Sequence, residues 1–376
     1  MTIDAIVRPR NTSSEISRET AAGAVARVAV RMALGYHGAM APFDAVLVVA
    51  FGGPQGPDDV RPFLANVLRG RRVSPERVEE VARHYERFGG VSPLTELTRR
   101  QAAGLRARLH DRGLPLPVYI GMRNWHPSLL ETLTEMAQRG VRRAVGVIAA
   151  AHRSYSSCTQ YRENVDAARA ELATQGLPDV EVCYVNDWHA HSGFIDANVD
   201  HVREAFDALP VDVRLDARVI FTAHSIPASM AETFPYREQI EESARLVISG
   251  LTPRAPDALA GRGFSPAEMA VVYQSRSGRP GDPWLGPDIC EYIRAEAARG
   301  LRAAVIAPIG FICDHVEVLY DLDVEAADVC REAGVAMTRA RAVNDHPRFI
   351  DALADSVADT WRRYDHARPL QVVATT

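Results

Sequence analysis

From residue 44 onward, short runs of apolar, often β-branched residues alternate with longer stretches of helical periodicity. Apolar runs of this kind, separated by helices, are typical of βαβ units in a parallel sheet. The predicted strands cover residues 45–51, 118–122, 144–150, 180–185, 218–223, 270–274 and 303–308. The predicted helices cover residues 58–68, 75–88, 94–110, 127–139, 159–174, 198–209, 236–249, 287–298, 316–333 and 347–364. The alternation therefore predicts an α/β fold.

The strands fall into two groups that divide near residues 183–187. At roughly 150 residues per domain, a chain of 376 residues has the length of two domains. We predict two doubly wound, Rossmann-like lobes, 43–183 and 184–345, with parallel sheets and a cleft between them. The C-terminal segment 346–376 is expected to complete the first lobe. Residues 1–42, polar and then rich in Ala, Arg and Val, are expected to form a poorly ordered extension.

Lysine is absent from the chain, and all 43 basic residues are arginine. Chemistry that needs a lysine, such as a Schiff base or a Walker A phosphate site, is therefore excluded. The net charge is −5, with acidic and basic residues interspersed. Because no basic stripe is present, nucleic acid is not an expected partner. No apolar run approaches the ~20 residues of a membrane helix, so no membrane span is expected.

The five cysteines, at positions 158, 183, 290, 313 and 330, form no C-x-x-C motif. An odd number without short spacings argues against a disulfide framework and against a structural zinc site. Cys183 and Cys313 lie in apolar runs and are predicted to be core residues. These features indicate a reducing compartment, and we expect the protein to be cytoplasmic.

A histidine stands at the carboxyl end of a predicted strand, in the segment FTAHSIP (221–227). The carboxyl ends of parallel strands are where α/β folds bind ligands, so His224 is a candidate functional residue. Ser225 could suggest a hydrolase. However, adjacent side chains on an extended segment diverge, and the chain has no G-x-S-x-G motif.

Acidic residues recur every four positions after the strand at 303–308, at Glu317, Asp321 and Glu325. On a helix they form one stripe, which is better aligned if the helix widens locally into a π-bulge. A solvated helix face is one explanation. A stripe without arginine partners repels itself, however, and hard oxygen ligands facing a cleft would suit the passage of a hydrated divalent cation.

Other motifs allow more than one interpretation. The glycine-rich loop 51–56 does not fit a nucleotide site, because Pro54 lacks an N–H and aspartates follow it. It fits a turn that lets the backbone approach a flat ligand. His126 could face the cleft or serve helix entry, and the arginines around Gly70, including Arg69, could form an exposed turn or clamp an anion. The pair His189 and His191 is interpreted as a helix start.

Six segments occur in the order that is typical of one enzyme family: AFGGP (50–54), RFGGVSPL (87–94), GMRNWHP (121–127), FTAHSIP (221–227), YQSRS (273–277) and APIGFICDHVE (307–317). Between about residues 44 and 364 the chain resembles the ferrochelatases, specifically the actinobacterial-type coproporphyrin ferrochelatases. The resemblance implies the chelatase fold and insertion of Fe²⁺ into a porphyrin held between two similar α/β lobes.

The resemblance also implies roles for single residues. The catalytic histidine and glutamate of the family match His224 and Glu317, in agreement with the candidates already identified, with Asp321 and Glu325 as a carboxylate trail for the metal. The family's macrocycle contacts match Ser92 and Tyr161. Fe²⁺ is then a substrate, and no organic cofactor is expected.

Two departures from the family pattern stand out. Members with a tyrosine in the first loop can use it to ligate product iron, whereas this chain has Phe51, which leaves His126 as the candidate axial ligand. Some relatives bind a [2Fe–2S] cluster through four cysteines. Cys158 and Cys330 match two of these, but Met337 and Arg339 stand at the other two positions. Because four thiolates are normally required, we predict no conventional cluster.

The expected partners are coproporphyrin III and ferrous iron, with a transient contact to neighbouring haem-pathway enzymes. Four propionates favour an open, arginine-lined cleft, and the chain lacks the apolar lip of protoporphyrin enzymes. Protoporphyrin IX, or cobalt insertion into a precorrin-type ring, remains an alternative within the same fold. A porphyrin or haem carrier without catalysis is an alternative of a different class, although a carrier has no use for an acidic iron route.

Overall fold

The computed structural model describes residues 41–70, 73–251, 269–277 and 281–366. The expected N-terminal extension therefore lies outside the described residues up to residue 40. The same holds for Arg71, Arg72 and the last ten residues.

The first sheet has four parallel strands in the order β2-β1-β3-β4. Its strands are β1 (Ala45–Ala50), β2 (Val118–Met122), β3 (Arg143–Ile148) and β4 (Glu181–Tyr184). All six residues of β1 are buried, as expected for a central strand that is covered on both faces by helices.

The second sheet repeats this arrangement in the order β6-β5-β7-β8, again with all strands parallel. Its strands are β5 (Arg218–His224), β6 (Met269–Gln274), β7 (Ala303–Ala307) and β8 (Ala336–Arg339). The predicted α/β fold with two Rossmann-like lobes is confirmed. The exact lobe boundaries remain a prediction.

The α-helices fill the connections between the strands. They are α1 (Val60–Val67), α2 (Pro75–Arg87), α3 (Leu94–Asp111), α4 (Leu129–Gln138), α5 (Gln160–Thr174), α6 (Ser192–Ala208), α7 (Val211–Arg214), α8 (Ala228–Thr233), α9 (Tyr236–Leu251), α10 (Ile289–Ala297), α11 (Val316–Tyr320), α12 (Ala327–Glu332) and α13 (Pro347–His366). Two π-helical segments, Tyr155–Thr159 and Asp321–Ala326, lead into α5 and α12. None of the described helices is long and apolar enough to cross a membrane.

The two sheets are alike in detail as well as in order. At the end of β2 the Met122 amide donates to the Pro127 carbonyl at 2.8 Å, and near the end of β6 the Tyr273 amide donates to the Pro287 carbonyl at 2.9 Å. In each lobe the next helix begins at a side-chain cap, Ser128 or Asp288. The lobes therefore share one plan of strand, turn and capped helix.

The structure differs from the sequence prediction at several elements, among them the short helices α7 and α8, which were not predicted. The edge strand β8 was not predicted, because its four residues are only partly buried and lack an apolar run. Helix α6 begins at Ser192 instead of residue 198, since the His191 side chain accepts a hydrogen bond from the Gly193 amide and caps the helix. The interpretation of His191 as part of a helix start is confirmed.

The C-terminal helix α13 packs against α3 and α6, and so contacts helices from both halves of the chain. At Gly193 the helices meet so closely that an added Cβ atom would lie 2.3 Å from the Arg348 carbonyl oxygen. Only a residue without a side chain fits this contact.

We predict that Gly193→Ala lowers the free energy of unfolding by about 1–3 kcal/mol, because the methyl group forces α6 and α13 apart. Urea denaturation monitored by circular dichroism measures the effect. Gly56→Ala is the matched control, since nothing lies within 4 Å of its added Cβ. Equal midpoints for both variants would contradict the close packing of α13.

Candidate functional site

His224 is the last residue of β5 and is half-buried at the carboxyl end of the second sheet. Its Nδ1 contacts the Ser225 carbonyl oxygen, an acceptor, so this nitrogen carries the hydrogen and Nε2 keeps its lone pair. The Tyr236 hydroxyl donates to the His224 carbonyl at 3.0 Å. The Ser225 hydroxyl donates to the Leu285 carbonyl at 2.7 Å, so it is not oriented as a nucleophile.

Glu317 lies in the first turn of α11, which follows β7, the neighbour of β5 in the sheet. Between β7 and α11, the Gly310 amide donates to the Thr222 carbonyl at 3.0 Å. Gly310 approaches β5 so closely that an added Cβ would lie 2.5 Å from the Ala223 Cβ. This contact brings the segment before α11 against the end of β5, next to His224.

His315 connects the two candidate residues electrostatically. Its Nδ1 accepts the Val318 amide at 3.2 Å and so caps α11. Burial lowers the pKa of His315, while the Glu317 carboxylate raises it and the His224 imidazole lowers it. The charges of both groups therefore act on His315, and the pairing of β5 with β7 brings the elements that carry them to the same edge of the sheet.

A helical hairpin of the first lobe, α1 and α2, packs over α11. Val316 is buried in an apolar cluster with Phe63, Tyr85 and other residues of this hairpin. The His84 ring stacks on Tyr320 with a centroid distance of 3.5 Å and an interplanar angle of 11°. Burial raises the pKa of Tyr85, and the charge of Glu317 raises it further. Glu317 therefore faces the first lobe.

Glu317, Asp321 and Glu325 form a row of acids along the chain, here called the acidic row. Glu317 and Asp321 are half-buried and Glu325 is exposed. The expected local widening is confirmed, since residues Asp321–Ala326 are π-helical. The residues that follow each acid, Val318, Leu322 and Ala326, are fully buried. The apolar side of the element thus faces the core, and the acids share another face.

Asp321 lies where the row enters a cavity. Its carboxylate accepts hydrogen bonds from Ser275 and from Gln274 Nε2, the latter at 3.2 Å. Burial, which is the main cause, and the nearby carboxylates of Glu317 and Glu325 together raise the pKa of Asp321 to about 7, although the hydrogen bonds from Ser275 and Gln274 lower it. A cavity of about 400 Å³ begins here, and its charged lining residues are Asp288, Arg294, Asp321, Glu325, Asp328 and Glu332.

The described part of the chain contains no group of three or more His, Cys, Asp or Glu side chains arranged to hold a metal ion. The acids are spread along a path instead of converging on one point. Such an arrangement suits weak, successive contacts with a hydrated cation better than one tight binding site.

The rings of Phe51 and Tyr161 both lie close to the guanidinium of Arg123. The Arg123 guanidinium lies 5.8 Å from the Phe51 ring centroid and 4.9 Å from that of Tyr161. Tyr161 is buried, and burial raises its pKa to about 12. Both aromatic residues thus lie at the carboxyl end of the first sheet, after β1 and at the start of α5.

Ser92 is buried against the loop that follows β1. Its amide donates to the Pro54 carbonyl at 2.8 Å, and its carbonyl accepts Gln55 Nε2 at 3.2 Å. Gly53 leaves room for it, because a Cβ there would lie 2.7 Å from the Ser92 Cβ. The structure therefore joins Ser92 to the glycine-rich loop.

Arg69 and His126 lie on the surface. Arg69 is exposed and donates to Asn66 Oδ1 at 2.7 Å. The His126 side chain is 67% exposed, and its Nδ1 lies 3.0 Å from Glu131 Oε2. The structure does not bring these two residues together with His224 and Glu317.

The two cysteines that match cluster ligands of relatives, Cys158 and Cys330, pack in the apolar clusters of different sheets. Cys158 packs at the edge of an apolar cluster of the first sheet, whereas Cys330 is buried in a cluster of the second sheet. Arg339, at one of the positions that the cluster would need, forms ion pairs with two aspartates. All five cysteines are free, and Cys183 and Cys313 are buried as predicted.

Sequence reasoning missed His315, His84 and Arg123 as parts of the site. His315 stands two positions before Glu317, so its place in the motif was the only signal. The position of Arg123 became evident only when the first sheet placed it above Tyr161. His84 carried no pattern, because its stacking on Tyr320 depends on how the lobes meet.

A family model described as Ferrochelatase matches residues 43–360. The coproporphyrin III ferrochelatase of Streptomyces griseus is 45% identical over 317 residues, which are 84% of this chain and 84% of that protein. A protein named ferrochelatase from Rhodopirellula baltica is 44% identical over 85% of this chain and 86% of its own length. The coproporphyrin III ferrochelatase of Streptomyces coelicolor is 43% identical, with 85% of each chain covered.

Among solved structures, SirB from Bacillus subtilis with Fe³⁺ is similar with a TM-score of 0.51 and 12% sequence identity. The match covers 86% of this chain and 97% of SirB. At this identity the likeness concerns the fold alone, and it agrees with the two α/β lobes described above.

We predict that Asp321→Asn stabilises the protein by roughly 2–4 kcal/mol at pH 8 and has little effect at pH 4. The pKa of Asp321 in the folded protein, about 7, lies above 3.8, the ordinary value of an aspartate carboxyl group. Native protein therefore binds the extra proton, and this contribution to stability is lost as the pH rises from about 4 to 7. Urea denaturation of both proteins between pH 4 and 8 measures the difference. Parallel stability curves would contradict the raised pKa.

Proposed function

Because the chain belongs to the ferrochelatase family, as its motifs predicted, we propose that it inserts Fe²⁺ into coproporphyrin III. The observation that carries the proposal is that His224 ends β5 while Glu317 lies at the start of the helix that follows the neighbouring strand β7. A histidine and a carboxylate can serve this reaction as proton acceptors and as ligands for the metal.

Metal insertion requires that two pyrrole N–H protons leave the porphyrin while Fe²⁺ loses its water ligands. The Nε2 of His224 has a lone pair, and the Glu317 carboxylate carries no ion pair within the part of the chain that the structure describes. Each can accept a proton or bind the metal in passing. We propose that the two residues share proton removal and metal handover.

The acidic row would deliver the iron. Glu325 is exposed at the cavity, Asp321 is more buried, and the charges of Glu317 and His224 both act on His315. Carboxylate oxygens exchange with the water ligands of a divalent cation at moderate cost. The cation would therefore move inward from Glu325 to Glu317, with His224 as its final protein contact before the ring.

We further propose that the macrocycle lies against the carboxyl end of the first sheet. Phe51 and Tyr161 offer aromatic surface there, and Ser92 fixes the adjacent glycine-rich loop. Arg69 stays a candidate for a propionate contact at the rim. His126, with Nδ1 held by Glu131, stays the candidate axial ligand through Nε2.

Coproporphyrin III is the proposed substrate because two of the relatives described above carry that name. The same residues could metallate protoporphyrin IX, and a carrier would bind a porphyrin without metal insertion. We propose a cytoplasmic location, which the five free thiols support. Transient contact with neighbouring haem-pathway enzymes is part of the same proposal.

Replacing either central side chain should slow iron insertion. We predict that His224→Ala and Glu317→Gln each lower kcat by about 10²-fold or more, because each removes a proton acceptor at the reacting centre. Anaerobic absorbance assays with Fe²⁺ and coproporphyrin III measure the rate. The controls are His110→Ala, whose side chain is 77% exposed, and Glu171→Gln, also exposed. Wild-type rates in both site variants would contradict the proposal.

The substrate is tested by comparing coproporphyrin III and protoporphyrin IX with Fe²⁺ under the same conditions. We predict that kcat/KM is higher for coproporphyrin III by about tenfold or more, since its two additional propionates can pair with arginines at the cleft. A preference for protoporphyrin IX would favour the alternative substrate. Tight binding of both without metal insertion would favour the carrier.

A further inference from the structure

One buried arginine holds two carboxylates of the acidic segment. Arg339, at the end of β8, has a side chain that is only 13% exposed. Its Nη1 lies 2.7 Å from Asp314 Oδ1, and its Nε lies 2.6 Å from Asp323 Oδ1. A guanidinium can make both contacts because its donors point in different directions within one plane.

The two aspartates lie at the ends of a segment that carries two of the three proposed iron ligands, and the third, Glu325, follows this segment. Asp314 comes directly before His315, the cap of α11, and Asp323 lies within the π-helical segment. Glu317 and Asp321 stand between them. Because Arg339 contacts both ends, it fixes how the start of α11 is placed relative to the π-helical turn.

The Asp314 end is anchored by a buried network. Asp314 Oδ2 accepts Asn344 Nδ2 at 2.7 Å, and the Asp314 amide donates to Asn344 Oδ1 at 2.8 Å. The Asn344 carbonyl accepts Gln101 Nε2 from α3 at 2.8 Å. A buried carboxylate with this many partners keeps its position. Arg339 therefore links Asp323 to a carboxylate, Asp314, whose position is fixed.

Arg339 neutralises these two acids without touching the others. In the described residues, the ion pairs of Arg339 are with Asp314 and Asp323, and none involves Glu317, Asp321 or Glu325. Arg339 also does not line the acidic cavity. The element that bears Glu317, Asp321 and Glu325 is therefore held by ion pairs that do not use the carboxylates of these three residues.

We propose that Arg339 is a positioning residue for iron delivery, which sets the spacing of Glu317, Asp321 and Glu325. The inference rests on the proposed function. The ion pairs of Arg339 should affect KM for Fe²⁺ and leave the binding of the porphyrin unchanged. None of the described contacts of Arg339 reaches the carboxyl end of the first sheet.

The test uses two variants that conserve charge and change geometry. Arg339→Lys keeps the positive charge but cannot contact both aspartates as a planar fork does. Asp323→Glu keeps the negative charge but lengthens the side chain, which is 38% exposed, so this variant should fold. Arg339→Met removes the charge altogether. Arg341→Met is the matched control, because Arg341 stands two positions away and forms an exposed pair with Glu204.

We expect KM for Fe²⁺ to rise by about 10- to 100-fold in Arg339→Met and by a smaller factor in the two charge-conserving variants. KM for the porphyrin, and its binding measured by fluorescence quenching, should match wild type. Arg341→Met should behave as wild type throughout. Rates are compared per folded protein, measured by circular dichroism.

An unchanged KM for Fe²⁺ in Arg339→Lys and Asp323→Glu would overturn the inference, even if Arg339→Met does not fold. A loss of activity that follows only the folded fraction, with both KM values unchanged, would overturn it as well. Wild-type protein that metallates no porphyrin would instead overturn the proposed function, and this inference with it.

Discussion

The site depends on the adjacency of two parallel strands. β5 and β7 pair in register, so the residue that ends one strand and the segment that follows the other emerge at the same edge of the sheet. Gly310 packs directly on Ala223 and directs the chain toward His224 before α11 begins. The elements that carry a histidine and a glutamate far apart in the sequence are thereby brought to the same edge of the sheet.

A second constraint is the uneven neutralisation of charge. Arg339 compensates Asp314 and Asp323, whereas Asp321 is left to neutral donors, and burial raises its pKa to about 7. Unpaired, partly buried carboxylates are costly for folding. A protein that keeps them has a use for their charge, and transport of a divalent cation is such a use. Val318, Leu322 and Ala326, each next to one of the acids, are fully buried, so the same element also packs in the core.

Much of this could be predicted from the sequence, because parallel strands buried on both faces leave clear apolar runs. His224 and the acidic stripe were found by their positions at strand ends and by helical spacing, and the π-helical widening followed from the alignment of the acids. The edge strand β8 was missed because it is short and half-exposed. Because β8 was not predicted, the position of Arg339 beside the acidic segment could not be predicted either. The stacking of His84 on Tyr320 depends on contacts between the lobes that no local pattern encodes.

The most direct test of the account is a crystal structure of the protein with metal-free coproporphyrin III. The account predicts that the ring binds between the carboxyl ends of the two sheets, with His224 Nε2 and the Glu317 carboxylate directed at the pyrrole nitrogens. A ring bound at another surface, or one whose nitrogens face neither side chain, would contradict it.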